Sequence, residues 1–235
     1  MSHHINLLRI KAIAGLLKQI KEEFVFVGGA TVSLYGDENR SEARPTDDVD
    51  VVVELASYSG YSELDEKLRS VGFVNDMESN VICRYKIQGI IVDIMPTDAS
   101  VIGFSNIWYQ DGFKNAINIK IDDCLIKIFS LPYFIASKIE AFKSRGLNNY
   151  LFSSDFEDIV YVLENNSNVL NLIKYHAEKN DAAFRNEAYQ IAKYFDEINN
   201  YQLAEYIMAL LSDTNTFSPQ TDSTIHAFFK KIELN

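Results

Sequence analysis

Apolar residues open the chain at helical spacing. Ile5, Leu7, Leu8, Ile10, Ile13, Leu16, Leu17 and Ile20 recur three and four apart, which predicts an amphipathic helix over 5–22. The pattern then shortens to Phe24-Val25-Phe26-Val27, an apolar run of strand length that Gly28-Gly29 stops. Ala30 to Tyr35 suits a helix closing at Gly36, and the polar stretch 37–47, which contains Pro45, reads as a loop. Val49 to Leu55 is the second expected strand. Residues 61–71 return to a helical pattern, and Val81 to Tyr85 with Ile90 to Met95 read as paired strands around Gln88-Gly89. Two further short strands are expected near Ile117 to Ile121 and Leu125 to Phe129.

From Pro132 onward the signal is helical. Pro132 suits a first-turn position of a helix reaching about Ser144 and ended by Gly146. Ser153-Ser154-Asp155 caps the next, to about Glu164, and helices near 167–178, 181–197, 201–211 and 221–231 follow. An α/β domain over 1–130 is therefore expected, then a helical domain over 131–235. No flexible linker separates them, so the second is expected to pack against the first and complete the active site.

At 235 residues there is room for one large domain or two small ones. With 47% hydrophobic and 23% charged residues, the chain is globular rather than disordered. No apolar run is long enough to cross a bilayer, and Met1-Ser2-His3-His4 does not begin a secretory signal; a cytoplasmic protein without a membrane partner is expected. Cys83 and Cys124 stand alone in strand-like segments and read as reduced, buried thiols. His3, His4, His176 and His226 have no metal-ligand spacing.

The net charge of −11 is unevenly spread. Residues 1–146 carry 16 Lys and Arg against 20 Asp and Glu, a balance of −4; residues 147–235 carry 6 against 13, a balance of −7. A polyanion is repelled by such a second half, so a nucleic-acid partner would need a local basic patch or would present only an end. A nucleotide already paired with magnesium meets no such objection.

The chemistry concentrates between Val27 and Val53. On a strand, residues two apart project from one face, so Asp48 and Asp50 point together while Val49 and Val51 face the core. Asp93, inside Ile90-Ile91-Val92-Asp93-Ile94-Met95, is a third acid in an apolar strand. Like charges this close repel unless protonated or paired with cations, and magnesium shares hard oxygen ligands between one or two carboxylates and substrate phosphates. A lone Asp-x-Asp is more often an exposed acidic edge; the glycine pair upstream and Asp93 downstream reverse that balance. Gly28-Gly29 at a strand-to-helix turn lets backbone N–H groups approach a phosphate, and Thr31 or Ser33 can add a hydroxyl. Asp47 faces away from the acidic pair.

Gly28-Gly29, Leu34-Tyr35-Gly36, Arg44-Pro45-Thr46, Asp48-Val49-Asp50 and Asp93 together resemble the nucleotidyltransferase superfamily with the DNA polymerase β-type fold. More narrowly, Arg44-x-Thr46-x-Asp48-x-Asp50 is similar to the AbiEii/MenT-like group, the toxin side of type IV toxin–antitoxin pairs. Lys138-Ile139-Glu140-Ala141, Arg145-Gly146 and Asp155-Phe156-Glu157-Asp158 follow that group's downstream order, so the resemblance covers about residues 24–165. It departs at Ala30, where many members place Ser or Thr.

The resemblance implies an α+β (mixed α/β) nucleotidyltransferase fold: a mixed sheet flanked by helices, then an all-helical subdomain. It implies Asp48, Asp50 and Asp93 as ligands of Mg2+, with Mn2+ as the alternative ion and Asp93 as ligand or general base for the acceptor hydroxyl, and Gly28, Gly29, Thr31, Ser33, Arg44 and Arg145 around the nucleotide, with Arg44 pairing with phosphate or with the carboxylates. Lys138 and Arg145, seven apart on one helix face, would grip a triphosphate, and Asp155 would orient Lys138 or the acceptor, with Asp158 as second choice. The expected activity is transfer of a nucleoside monophosphate from a nucleoside triphosphate to a hydroxyl of RNA or tRNA, a protein or an aminoglycoside-like small molecule, with an antitoxin as a further partner. The rival is a non-catalytic nucleotide-binding or interaction module of the same fold.

Overall fold

The computed structural model describes residues 2–55, 57–145 and 152–168. In chain order its elements are α1 (Ser2–Leu17), β1 (Phe24–Val27), a 3-10 helix (Gly29–Tyr35), β2 (Asp48–Val53), α2 (Tyr58–Ser70), β3 (Val74–Asn75), β4 (Arg84–Ile87) and β5 (Ile90–Pro96). There follow α3 (Ala99–Ile102), α4 (Tyr109–Lys114), β6 (Ile117–Ile121), β7 (Cys124–Ile128), α5 (Leu131–Arg145) and α6 (Ser154–Asn165). Apart from Ser167 and Asn168, which form a turn, the helices expected beyond residue 167 lie outside the described residues, as does Gly146. The chain divides into two compact units, Met1–Leu34 with Ser41–Ser137, and Tyr35–Arg40 with Lys138–Asn235.

The first unit is built on one mixed seven-stranded sheet of order β3-β4-β5-β2-β1-β7-β6. Parallel pairing joins β2 to β5 and β1 to β7; the other neighbours run antiparallel. The central strands have the apolar runs that burial on both faces demands: Val25, Phe26, Val27, Val49, Val51, Val52, Val92 and Ile94 are all buried. Helices flank the sheet, with α1 against β7, α3 against β5 and α4 against β2. This is the mixed α/β fold expected from the sequence. Cys83 and Cys124 are free and buried, and burial, helped by the charge of Asp93, pushes the Cys83 thiol up to about 12. Among the described residues no helix is long and apolar enough to cross a membrane.

Three local differences have physical causes. The first helix ends at Leu17 because Gln19 and Ile20 donate to carbonyls three residues back, a tightening that stops an α-helix. The segment after the glycine pair is a 3-10 helix, with Thr31 donating both its backbone N–H and its hydroxyl to the Gly28 carbonyl. The short β3, α3 and α4 lack the length that makes a periodicity legible.

In the second unit, Ser153 accepts a hydrogen bond from the Phe156 N–H and so caps α6. The rings of Phe142 and Phe156 pack 5.6 Å apart, among buried Ile139, Ile159 and Val162. The polar segment Tyr35–Arg40 is tied to the end of α6: Asp37 N–H donates to the Asn165 carbonyl at 2.7 Å, and the Asn166 amide donates to the Tyr35 carbonyl at 2.6 Å. Ser167 N–H reaches the Asp37 carboxylate, holding its pKa below the usual range. A stretch that reads as an ordinary loop is thus a structural strap.

Candidate active site

The strand alternation of β2 turns Val49 and Val51 into the core and leaves Asp48 and Asp50 half-buried on the other face. Parallel pairing then sets Asp50 directly beside Asp93 of β5. One oxygen from each of Asp48, Asp50 and Asp93 lies within 4.8 Å of the others. The donor set is all carboxylate, on two adjacent rigid strands, which suits a hard divalent cation such as Mg2+ or Mn2+.

Antiparallel pairing places Val27 opposite Asp50, so the chain leaves β1 at Gly28 right against this carboxylate. Gly28 has φ +71°, and a Cβ there would sit 1.9 Å from Asp50 Oδ2. A Cβ on Gly29 would sit 2.3 Å from Arg44 Nη2. The glycine pair therefore makes room for the site's own carboxylate and guanidinium, a reason independent of phosphate. Gly28→Ala is expected to destabilise the protein by about 1–2 kcal/mol through the left-handed backbone alone, and to displace Asp50. Titration with Mn2+ followed by magnetic resonance should show binding weakened by about tenfold or more; unchanged affinity would mean that Asp50 is not a ligand.

Thr31 and Ser33 are fully buried. The Thr31 hydroxyl donates to the Gly28 carbonyl at 2.9 Å, fixing the turn, and the Ser33 hydroxyl is enclosed with no hydrogen-bond partner.

The loop before β2 is held from the far end of the chain. Buried Asn6 of α1 donates to the Arg44 carbonyl at 3.2 Å and accepts from the Thr46 N–H and hydroxyl at 3.3 and 3.2 Å. The Thr46 hydroxyl also lies 3.2 Å from the Asp48 carbonyl, and Arg9 donates to the Thr46 carbonyl. Asn6 and Arg9 thus fix the entry to the acidic strand. Sequence reasoning missed both, since the apolar spacing assigns Ile5 and Leu8 to the buried face, whereas both are exposed and Asn6 is buried instead.

Arg84 was missed as well. On β4 it faces Asp93 across the hairpin. Its guanidinium forms a fork on Asp93, Nε to Oδ1 at 2.8 Å and Nη2 to Oδ2 at 2.7 Å, and Nη2 reaches Asp48 Oδ2 at 3.4 Å. The bond to Asp93 raises the Arg84 pKa above its already high value. The signal was available in the sequence: a two-residue turn at Gln88-Gly89, both with positive φ, pairs 87 with 90 and hence 84 with 93.

The remaining sequence-derived residues form a second cluster, inside the second unit. Lys138 Nζ lies 3.0 Å from Asp155 Oδ1 and 2.7 Å from Asp158 Oδ2, with all three side chains buried. Arg145 grips Asp155 with two bonds of 2.7 and 2.8 Å. Burial alone would raise the Asp155 pKa, but the Arg145 hydrogen bond and the Lys138 charge outweigh it and hold the carboxyl below the usual range. A folded-state pKa that is lowered gives stability fully present above the unfolded value, 3.8, and lost as pH falls through the folded one. Asp155→Asn is expected to be less stable at neutral pH yet to lose less further stability between about pH 5 and pH 2 than the wild type, as read by urea unfolding.

No protein-family model matches the chain, and no curated protein matches it significantly. Among solved structures, it is similar to an antigenic nucleotidyltransferase-like protein from Paracoccidioides brasiliensis at 16% identity, covering 77% of this chain and 90% of that one, with a TM-score of 0.47. It is also similar to the antibiotic-resistance factor ANT(2'')-Ia in solution, at 14% identity over 84% of this chain and all of that one (100%), TM-score 0.48. The crystal structure of ANT(2'')-Ia with adenylyl-2''-tobramycin gives 15% identity over 77% and 97%, TM-score 0.45. Matches of this depth describe a chain trace only.

Proposed function

We propose that the chain is a divalent-metal-dependent nucleotidyltransferase that moves a nucleoside monophosphate from a nucleoside triphosphate to a hydroxyl acceptor. The carrying observation is the convergence of Asp48, Asp50 and Asp93 to within 4.8 Å on paired strands. An oxygen of the acceptor would bond to the α-phosphorus, the bond to the bridging oxygen would break, and pyrophosphate would leave as the acceptor's proton passes to water. Asp48, Asp50 and Asp93 would hold the ion or ions. When bound, these would lower the pKa of the attacking hydroxyl and neutralise the leaving group. Arg84 already donates to both oxygens of Asp93, which favours a ligand role for Asp93 over a role as general base. Gly28 and Gly29 let the Asp50 carboxylate and the Arg44 guanidinium lie against the backbone, and Arg44 is assigned to phosphate.

For the second cluster, the resemblance assigns phosphate contact to Lys138 and Arg145 and an orienting role to Asp155. The 3.0 Å Lys138–Asp155 pair supports that orienting role. At the finer level, the likeness to the AbiEii/MenT-like group supports an RNA or tRNA end as acceptor, with a toxin role and an antitoxin partner. The net charge of −11 favours a second reading, a cationic aminoglycoside-like small molecule.

Each labelled triphosphate, incubated with Mg2+ and with total RNA, protein lysate or cationic aminoglycosides in turn, tests both. Label on one acceptor class, lost on chelation, is the expected result. No transfer to any class, with nucleotide binding retained, would instead favour the non-catalytic module.

A further inference from the structure

We infer that Arg84 is a resident counter-ion of the acidic site: it holds Asp48 and Asp93 together when no metal is bound, and its charge opposes metal entry. The inference rests on the metal-site reading above, not on nucleotidyl transfer.

Three carboxylates with oxygens within 4.8 Å of one another repel unless a positive charge lies among them. Among the described residues, Arg84 supplies such a charge to two of the three. It sits on β4, next to β5 and away from β2 in the strand order, yet one nitrogen, Nη2, bonds Asp93 at 2.7 Å and reaches Asp48 at 3.4 Å. It therefore ties the acid of one strand to the acid of the next. A guanidinium is never deprotonated at working pH, so this compensation is permanent. Its geometry also leaves the site open, because each carboxylate oxygen has a second lone pair for an ion.

A bound dication must then share these carboxylates with a fixed positive charge. Two consequences oppose each other in wild type and separate in a variant. Without metal, losing Arg84 uncovers the repulsion between Asp48 and Asp93, so the apo protein becomes less stable. With metal, losing Arg84 removes a repulsive neighbour, so the ion binds more tightly and restores more stability than it adds to the wild type.

The test compares wild type, Arg84→Gln and Arg84→Lys with Mg2+ or Mn2+ alone, no nucleotide present, by thermal unfolding with and without the ion and by calorimetric titration. Arg84→Gln should melt lower than wild type in chelator, gain a larger upward shift in melting temperature from Mg2+, and bind Mn2+ about tenfold more tightly. Arg84→Lys, which keeps the charge but not the fork, should keep near-wild-type ion affinity. An ion-induced shift equal in wild type and Arg84→Gln would reduce Arg84 to an ordinary ion pair and overturn the inference. Weaker ion binding in Arg84→Gln would overturn it too, since Arg84 would then only position the ligands. If Arg84→Gln does not fold even with Mg2+ present, weakened Mn2+ binding by Arg84→Lys decides against it and preserved binding decides for it. Absence of ion binding by the wild type would sink the metal-site reading itself, a separate outcome.

Discussion

Asp48→Ala is expected to abolish label transfer while leaving the protein folded and at least as heat-stable as the wild type. Metal ligation is worth several kcal/mol of transition-state charge stabilisation. At 1.36 kcal/mol per tenfold, its loss lowers the rate by on the order of a thousandfold. Asp48 is half-buried and reaches Arg84 only at 3.4 Å, whereas Asp93 keeps both of its shorter bonds to the same guanidinium. Deleting Asp48 removes one of three crowded negative charges at little structural cost. Asp50→Ala should lose transfer to the same degree. Activity and stability are thus expected to part company, as they do where like charges are kept together for chemistry. Rates come from the labelling assay and melting temperatures from calorimetry on the same preparations. Transfer surviving at wild-type rate in either variant would remove the acidic triad from the mechanism.

Lys138→Met should do the opposite and cost stability first. Lys138, Asp155 and Asp158 have side chains only 7%, 2% and 1% exposed. Methionine matches the volume but strips a buried charge from two buried carboxylates, and breaking such a pair costs about 3–5 kcal/mol. Arg145, itself largely exposed, still holds Asp155, so Asp158 bears most of the loss. Adding Asp158→Asn to Lys138→Met should recover part of it, giving a coupling energy of about 1 kcal/mol or more in a double-mutant cycle. Denaturant unfolding measures all four states. Additive losses would show that Lys138 and Asp158 do not form a coupled pair.

These cases divide along a physical line. Asp48 and Asp50 could be placed on one face from the sequence because strand alternation is local, and Ser153 could be recognised as a cap because capping spans three residues. Arg84 was within reach by the same kind of reasoning, since a two-residue turn dictates its partner, but a basic residue in an alternating strand looks like any solvated position. Asn6 was beyond reach. Nothing in a helix says that one of its amides will brace a loop about forty residues on. The meaning of Gly28 was likewise only half legible: the turn was foreseeable, the carboxylate pressed against it was not.

What the sequence by itself determined is the longer helices and strands, the acids on their strands and the glycines at their turn, all consequences of periodicity and backbone preference over a few residues. Only the tertiary structure decided that Asp93 stands beside Asp50, that Val27 stands opposite it, and that Arg84 bridges two of the three acids. Those juxtapositions depend on the order and register of non-neighbouring strands. That register is chosen by the packing of whole faces, and no short stretch of chain carries it.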